Sequence, residues 1–183
     1  MRLFLIASLL LSLWLSPVLP PVRAFDAQQR ALEMASLFNK TKHKVKEKRG
    51  IKIEIYVEVR SEPVVRRNAA EYAGTYEALG EYPLRLQVSA NGRIEASGSE
   101  PGPRATRQFT LRDANIEGAL LTATKVYTDG ETEKFEAVFI NRTERNSQSE
   151  SGTTSFGLGV VYDPPKVGSD YGFSLNKLFY ELK

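Results

Sequence analysis

The chain has 183 residues, with 25 Lys and Arg against 22 Asp and Glu, one His, no Cys and a formal net charge of +3. The missing cysteine excludes disulfides, thiolate metal sites, a thiol nucleophile and a lipid-modified N-terminal Cys. The single histidine leaves a His-based zinc site without partners.

Met1-Arg2 is a short positive start, and Leu3 to Leu15 is an apolar run broken only by Ser8 and Ser12. Ser16-Pro17 and Pro20-Pro21 end it, and Val22-Arg23-Ala24 puts small residues third-last and last before a cut. That order predicts a secretory signal peptide over 1–24, cleaved after about Ala24. The run is too short for a stable bilayer anchor. The expected mature chain is then 25–183, a single β-rich domain that is periplasmic or secreted and does not span a membrane once the signal is removed. Loss of Arg2 and Arg23 brings its net charge to +1, which disfavours nucleic acid as a partner. The sequons Asn39-Lys40-Thr41 and Asn141-Arg142-Thr143 matter only in a eukaryotic secretory pathway.

Asp26 reads as an N-cap, and Ala27, Ala31, Ala35 and Phe38 follow at helical spacing. The pattern predicts a helix over 27–39, fraying or continuing to Glu47. Lys40, Lys42, Lys44, Lys46, Lys48 and Arg49 crowd the next ten residues, with His43 among them. Such a run is either a solvated helix C-terminus, where cations suit the dipole, or a grip on an anionic surface. His43 in that setting reads as an exposed surface histidine.

Ile51, Ile53, Ile55, Val57 and Val59 alternate with charged or polar residues, the clearest strand signal in the chain. Glu54 and Glu58 alternate with Lys52 and Arg60 on its other face, an ion-paired surface. Ser61-Glu62-Pro63 ends it, and Tyr72, Gly74 and Tyr76 then share one face of Glu71–Leu79.

Two hairpins follow. A three-residue loop Ala90-Asn91-Gly92 pairs Val88 with Ile94 and Leu86 with Ala96, matching apolar groups. A Thr128-Asp129-Gly130 loop sets Lys125 opposite Glu133, Ala123 opposite Phe135 and Leu121 opposite Ala137. Ser97–Pro103 reads as a loop, Arg107–Leu111 as a short strand and Asn146–Thr154 as a polar, mobile stretch. Phe156–Tyr162 is a strand loosened by Gly157 and Gly159 and stopped by Asp163-Pro164-Pro165. Phe173–Leu182 fits a strand or a helix, with strand preferred.

The predicted fold is α+β and mainly β: an N-terminal helix, then about eight antiparallel strands in a strongly bent sheet or small barrel. The helix would lie on the sheet or plug one end. Tyr72, Tyr76, Phe109, Phe135, Phe139 and Tyr162 would fill the interior, or leave a cavity for one apolar ligand.

Ser174-Leu175-Asn176-Lys177 matches the S-x-x-K nucleophile signature, whose chemistry needs the amine one helical turn from the hydroxyl. Ser169-Asp170-Tyr171 precedes it, where the companion motif would follow, and no K-T-G comes after it. No phosphate-cradling glycine loop and no cofactor motif is present.

Glu71-Tyr72-Ala73-Gly74-Thr75-Tyr76-Glu77, followed by Leu84–Val88 and Asn91-Gly92-Arg93-Ile94, resembles the opening strands of small lipocalin-like barrels. It is also similar to the β domains appended to serine hydrolases related to β-lactamases. The resemblance covers 72–98 and implies a non-catalytic β module; it carries no binding residue across.

The functional expectation is a non-catalytic binding module for a small apolar ligand or a protein partner, with no cofactor, metal or catalytic residue. One alternative is an envelope structural or adaptor protein using Lys40, Lys42, Lys44, Lys46, Lys48 and Arg49 on an anionic surface. The other is a hydrolase of unknown class.

Overall fold

Apolar residues at every second position define most of the strands, and tight turns make nearly all their pairings antiparallel neighbours. The computed structural model describes residues 22–48, 50–89, 91–102, 105–147, 149–168 and 173–183. Most of the predicted signal, together with Arg49 and Ser169-Asp170-Tyr171, lies outside the described residues. Helix α1 spans Val22–Ser36. Ten strands follow: β1 Lys40–Lys48, β2 Ile51–Pro63, β3 Gly74–Ala78, β4 Tyr82–Val88, β5 Ile94–Glu100, β6 Arg107–Glu117, β7 Leu120–Tyr127, β8 Thr132–Asn146, β9 Ser149–Gly168 and β10 Phe173–Leu182.

The strand order is β1-β2-β8-β7-β6-β5-β4-β3-β10-β9, and β8 also pairs with β9. That last pairing closes β3 to β10 into an eight-stranded antiparallel barrel and leaves β1 and β2 outside it. Strand β8 serves both parts. Its first half, Thr132–Val138, pairs with β7. Its second half, Ile140–Asn146, leaves the barrel and takes β2 on that side. Strand β9 accompanies it along the other edge.

Both predicted hairpin registers hold: Val88 faces Ile94, Leu86 faces Ala96, Lys125 faces Glu133 and Leu121 faces Ala137. Gly92 and Gly130 have φ of 81° and 87°, the left-handed conformation that each three-residue loop requires.

Inside the barrel, Tyr76, Leu84, Leu86, Phe109, Leu121, Phe139 and Leu158 belong to one buried cluster. Outside, Arg85, Glu95, Ser97, Thr110 and Arg112 face solvent. A lipid-spanning barrel carries its apolar band on the outside, so this part of the wall has the reverse polarity. No helix among the described residues is long and apolar enough to cross a membrane.

Helix α1 lies on the outer wall. Ala27, Ala31, Met34, Ala35 and Phe38 pack on Leu120, Val138 and Ile140. This explains Ala137-Val138-Phe139-Ile140: 137 and 139 point into the barrel, while 138 and 140 point at the helix. Gly159 is part of the same interface. A Cβ there would sit 2.7 Å from the Phe38 ring, so the glycine admits the ring rather than loosening β9.

Several local expectations are corrected. The helix begins before Asp26, which is therefore inside it rather than its N-cap. The helix ends at Ser36, not Asn39 or Glu47, because Lys40–Lys48 pairs residue for residue with Ile51–Val59 as a strand. Residues 97–100 belong to β5, not to a loop, and β6 runs on to Glu117. Residues 149–154 are in β9, where Ser149, Thr153 and Thr154 pair with β8 across an irregularity in the register. Asp163-Pro164-Pro165 does not stop β9, and residues 173–182 form a strand.

Candidate functional site

Two places in the molecule gather charge in a way that packing alone does not require. The first is one end of the barrel interior. Strand β5 ends in Glu100, 0% exposed, and β7 carries Lys125, 2% exposed, one position inward of Tyr127 on the same face. The Lys125 ammonium donates to Glu100 Oε2 at 2.6 Å. Tyr162 donates to the same oxygen at 2.9 Å, and the Tyr127 hydroxyl lies 2.5 Å from Glu100 Oε1. Glu133 Oε2 sits 2.8 Å from that hydroxyl, so one tyrosine proton stands between two carboxylates.

Rings surround the ammonium. Its nitrogen is 4.6 Å from the centroid of Phe109, 5.1 Å from Phe135, 5.3 Å from Tyr162 and 5.7 Å from Tyr127. The electron-rich faces supplement the Glu100 carboxylate in replacing water. Tyr180 donates to the Ser99 carbonyl at 3.1 Å. Arg107 covers the end, 3.5 Å above the Tyr127 ring and bonded to Asp129 at 3.0 Å and Glu131 at 2.6 Å. Burial, reinforced by Glu100, pushes the hydroxyls of Tyr127, Tyr162 and Tyr180 well above the ordinary tyrosine range.

At the other end, the Tyr72 hydroxyl accepts from the Arg66 N–H at 2.7 Å and lies 2.9 Å and 2.8 Å from the carbonyls of Val64 and Gly118. Tyr76 donates to the Tyr72 carbonyl at 2.5 Å, and burial raises its hydroxyl pKa too.

All six residues expected to line the interior do so. Tyr72 stacks on Phe139 with ring centroids 4.0 Å apart, Tyr76 meets Phe139 at 6.2 Å, and Phe109 meets Phe135 at 6.3 Å. Tyr162 stands apart from these three pairs, in the ionic cluster. The sequence reading missed Glu100 and Lys125, although the signal was available. The derived hairpin already put Lys125 on the face of Leu121 and Ala123, and a charge on an inner face needs a buried partner.

The second place is the β1–β2 hairpin. Its register pairs Lys40 with Val59, Lys42 with Val57, Lys44 with Ile55, Lys46 with Ile53 and Lys48 with Ile51. Directly opposed residues share a sheet face. All five lysine positions therefore lie on one face, beside a row of five β-branched aliphatics. The other face pairs Thr41 with Glu58, His43 with Tyr56, Val45 with Glu54 and Glu47 with Lys52. All the hairpin's acids between 40 and 59 are on that side. There His43 Nε2 lies 3.8 Å from Glu54, and Glu58 bonds Arg60 at 2.7 Å. Side-chain hydrogen bonds from Arg60 and from the Tyr56 hydroxyl hold the Glu58 carboxyl below its usual range.

The S-x-x-K segment is in β10, not on a helix, and the Lys177 ammonium donates to the Leu37 carbonyl at 2.5 Å. Among the described residues, no group of three His, Cys, Asp or Glu side chains could hold a metal ion. Comparisons with protein-family models, curated proteins and solved structures gave no match.

Proposed function

We propose that the protein is a non-catalytic, exported binding module whose working surface is the β1–β2 hairpin, and that its target is an anionic surface of the cell envelope. The carrying observation is the register that puts Lys40, Lys42, Lys44, Lys46 and Lys48 on one face and all the hairpin's carboxylates on the other. On a helix the same lysines would be spread around the axis; on a strand they add into one field. The barrel supports this reading as a rigid mount. Its aromatic side chains contact one another, and its buried acid and base are engaged with each other and with tyrosines. That gives an interior apolar ligand less support than the hairpin gives an anionic surface. The Ser174–Lys177 hydrolase reading gains none, since Lys177 is bonded to the end of α1.

The test is retention on an anionic resin. Retention should fall steeply with added salt, as exposed charges are screened within about 8–10 Å at physiological ionic strength. Replacing Lys42, Lys44 and Lys46 by Gln should abolish it. Retention that survives both salt and the triple substitution would end the proposal.

A further inference from the structure

Electrostatics accounts for the lysines but not for what lies beside them. Ile51 is 65% exposed and Ile53 is 46% exposed, with Ile55 and Val57 half-buried in the same row. Strand β2 has β8 as a neighbour only from Val57 onward. From the Lys48–Ile51 pair back to Lys44–Ile55, the hairpin is a two-stranded ribbon paired with itself, and at Tyr56 the carbonyl already accepts from the Ser147 N–H at 3.0 Å. A two-stranded ribbon with an uncovered aliphatic face is marginal in water, and its apolar row gains from being covered.

Resting on the reading above, we propose that this face docks on an anionic lipid bilayer. Ile51, Ile53 and Ile55 enter the boundary between headgroups and acyl chains, and Lys42, Lys44 and Lys46 contact lipid phosphates. Charge complementarity chooses the occupant. An apolar row directly flanked by a lysine row, with no carboxylate on that face of the hairpin, matches a surface that is anionic outside and apolar a few ångströms deeper. An anionic polysaccharide offers only the first property. A second copy of this face would set lysines against lysines.

The ribbon is also long enough to lie along the surface. Nine paired positions at roughly 3.3 Å each make an edge of about 30 Å. The face continues at its base into a groove of about 560 Å³, where Phe38, Lys40, Val59 and Arg142 extend the mixture of cation and apolar surface until Glu77 and Glu181 end it on the far wall.

The experiment uses the full chain and three variants: Lys42→Gln/Lys44→Gln/Lys46→Gln, Ile51→Ser/Ile53→Ser, and Ile53→Cys. Each is checked for an unchanged circular dichroism spectrum and melting temperature. The substituted side chains are solvent-exposed, so folding should be retained. Co-sedimentation with phosphatidylglycerol-containing vesicles is compared with pure phosphatidylcholine vesicles and with the anionic resin. The native chain should bind anionic vesicles in preference to neutral ones. The triple Gln variant should lose roughly two orders of magnitude in partitioning, because each lysine near an anionic leaflet contributes about a fivefold factor. The double Ser variant should lose about tenfold or more on vesicles while keeping its resin retention. The chain has no cysteine, so a polarity-sensitive dye on Ile53→Cys reports one position, and its emission should shift to the blue when anionic vesicles are added.

If the double Ser variant binds anionic vesicles as the native chain does, or the dye does not shift, the lipid inference falls and the anionic-surface reading stands. If neutralising the lysines changes neither resin nor vesicle binding, both fall. A concentration-dependent dimer abolished by the double Ser variant would place a second copy on this face and overturn the inference.

Discussion

Lysine is used in opposite ways by the barrel and by the hairpin. Lys125 projects into a closed wall, is 2% exposed, and meets a carboxylate at 2.6 Å with four rings around it. Lys42, Lys44 and Lys46 project from an open ribbon, are exposed, and sit beside aliphatic side chains with no acid on their face of the hairpin. The residue type and the period-2 placement are the same. What differs is whether the sheet closes over the face. A closed face forces a charge to find an internal partner; an open one leaves it for an external partner. The barrel end is thus self-satisfied chemistry, and the hairpin is chemistry directed outward.

Alkaline pH separates the two regions most strongly. Burial, aided at most of these sites by nearby negative charge, raises the hydroxyls of Tyr76, Tyr127, Tyr162 and Tyr180 above the ordinary value of 10. The native state then holds protons that the unfolded chain gives up. Their contribution is whole below about pH 10 and is lost as pH climbs toward the folded values. The slope is about 1.4 kcal/mol per pH unit per tyrosine, so four of them remove about 5–6 kcal/mol by pH 11. That approaches the whole stability of a typical domain. Tyrosine ionisation followed near 295 nm should coincide with loss of the β-sheet circular dichroism signal. Ionisation of these four well below the unfolding pH would show that the barrel interior is wet.

The buried pair gives the next largest effect. Lys125→Met removes the ammonium that faces the buried Glu100 carboxylate, and should cost about 3–5 kcal/mol in urea denaturation. Adding Glu100→Gln removes that charge while keeping an acceptor for Tyr127 or Tyr162. The double variant should therefore be less destabilised than Lys125→Met alone. Additive losses would show that the two charges act independently and that the distinction drawn between the regions is wrong. The same substitutions should leave resin retention of the folded chain unchanged.

How far these regions could be read from sequence follows from the same physics. The hairpin registers were recoverable because a three-residue loop is the one that matches apolar with apolar and Lys125 with Glu133. The interior aromatics on the strands were recoverable from period-2 alternation, whereas Tyr72 reaches the interior from a 3-10 turn over Ala69–Tyr72. Barrel closure was not, because the β8–β9 pairing depends on β8 bending out of the wall, which no local pattern encodes. The lysine strand was misread for a different reason. Lysines at every second position carry a strand period, but weighing residue type over period favours a solvated helix end. Four consecutive apolar residues at 137–140 signalled two covered faces, and so a helix on the outer wall, yet only the inward pair Ala137 and Phe139 entered the reading.

An ion pair of intermediate exposure lies between the two extremes. Arg30 on α1 reaches Glu136 on the barrel wall at 2.7 Å, with the arginine about half exposed and the glutamate mostly covered. The hydrogen bond from Arg30 holds the Glu136 carboxyl below its ordinary range. A depressed carboxyl contributes stability above its unfolded pKa of about 4.5 and loses it as pH falls through the folded value. Water screens this pair, so Arg30→Ala should cost less than about 1 kcal/mol at pH 7. The difference from the native chain should shrink toward zero by about pH 3. If instead the loss matched that of Lys125→Met, wall position rather than burial would set the strength of a charge pair here. Helix α1 would then be held to the barrel by charge rather than by the packing of Met34, Ala35 and Phe38.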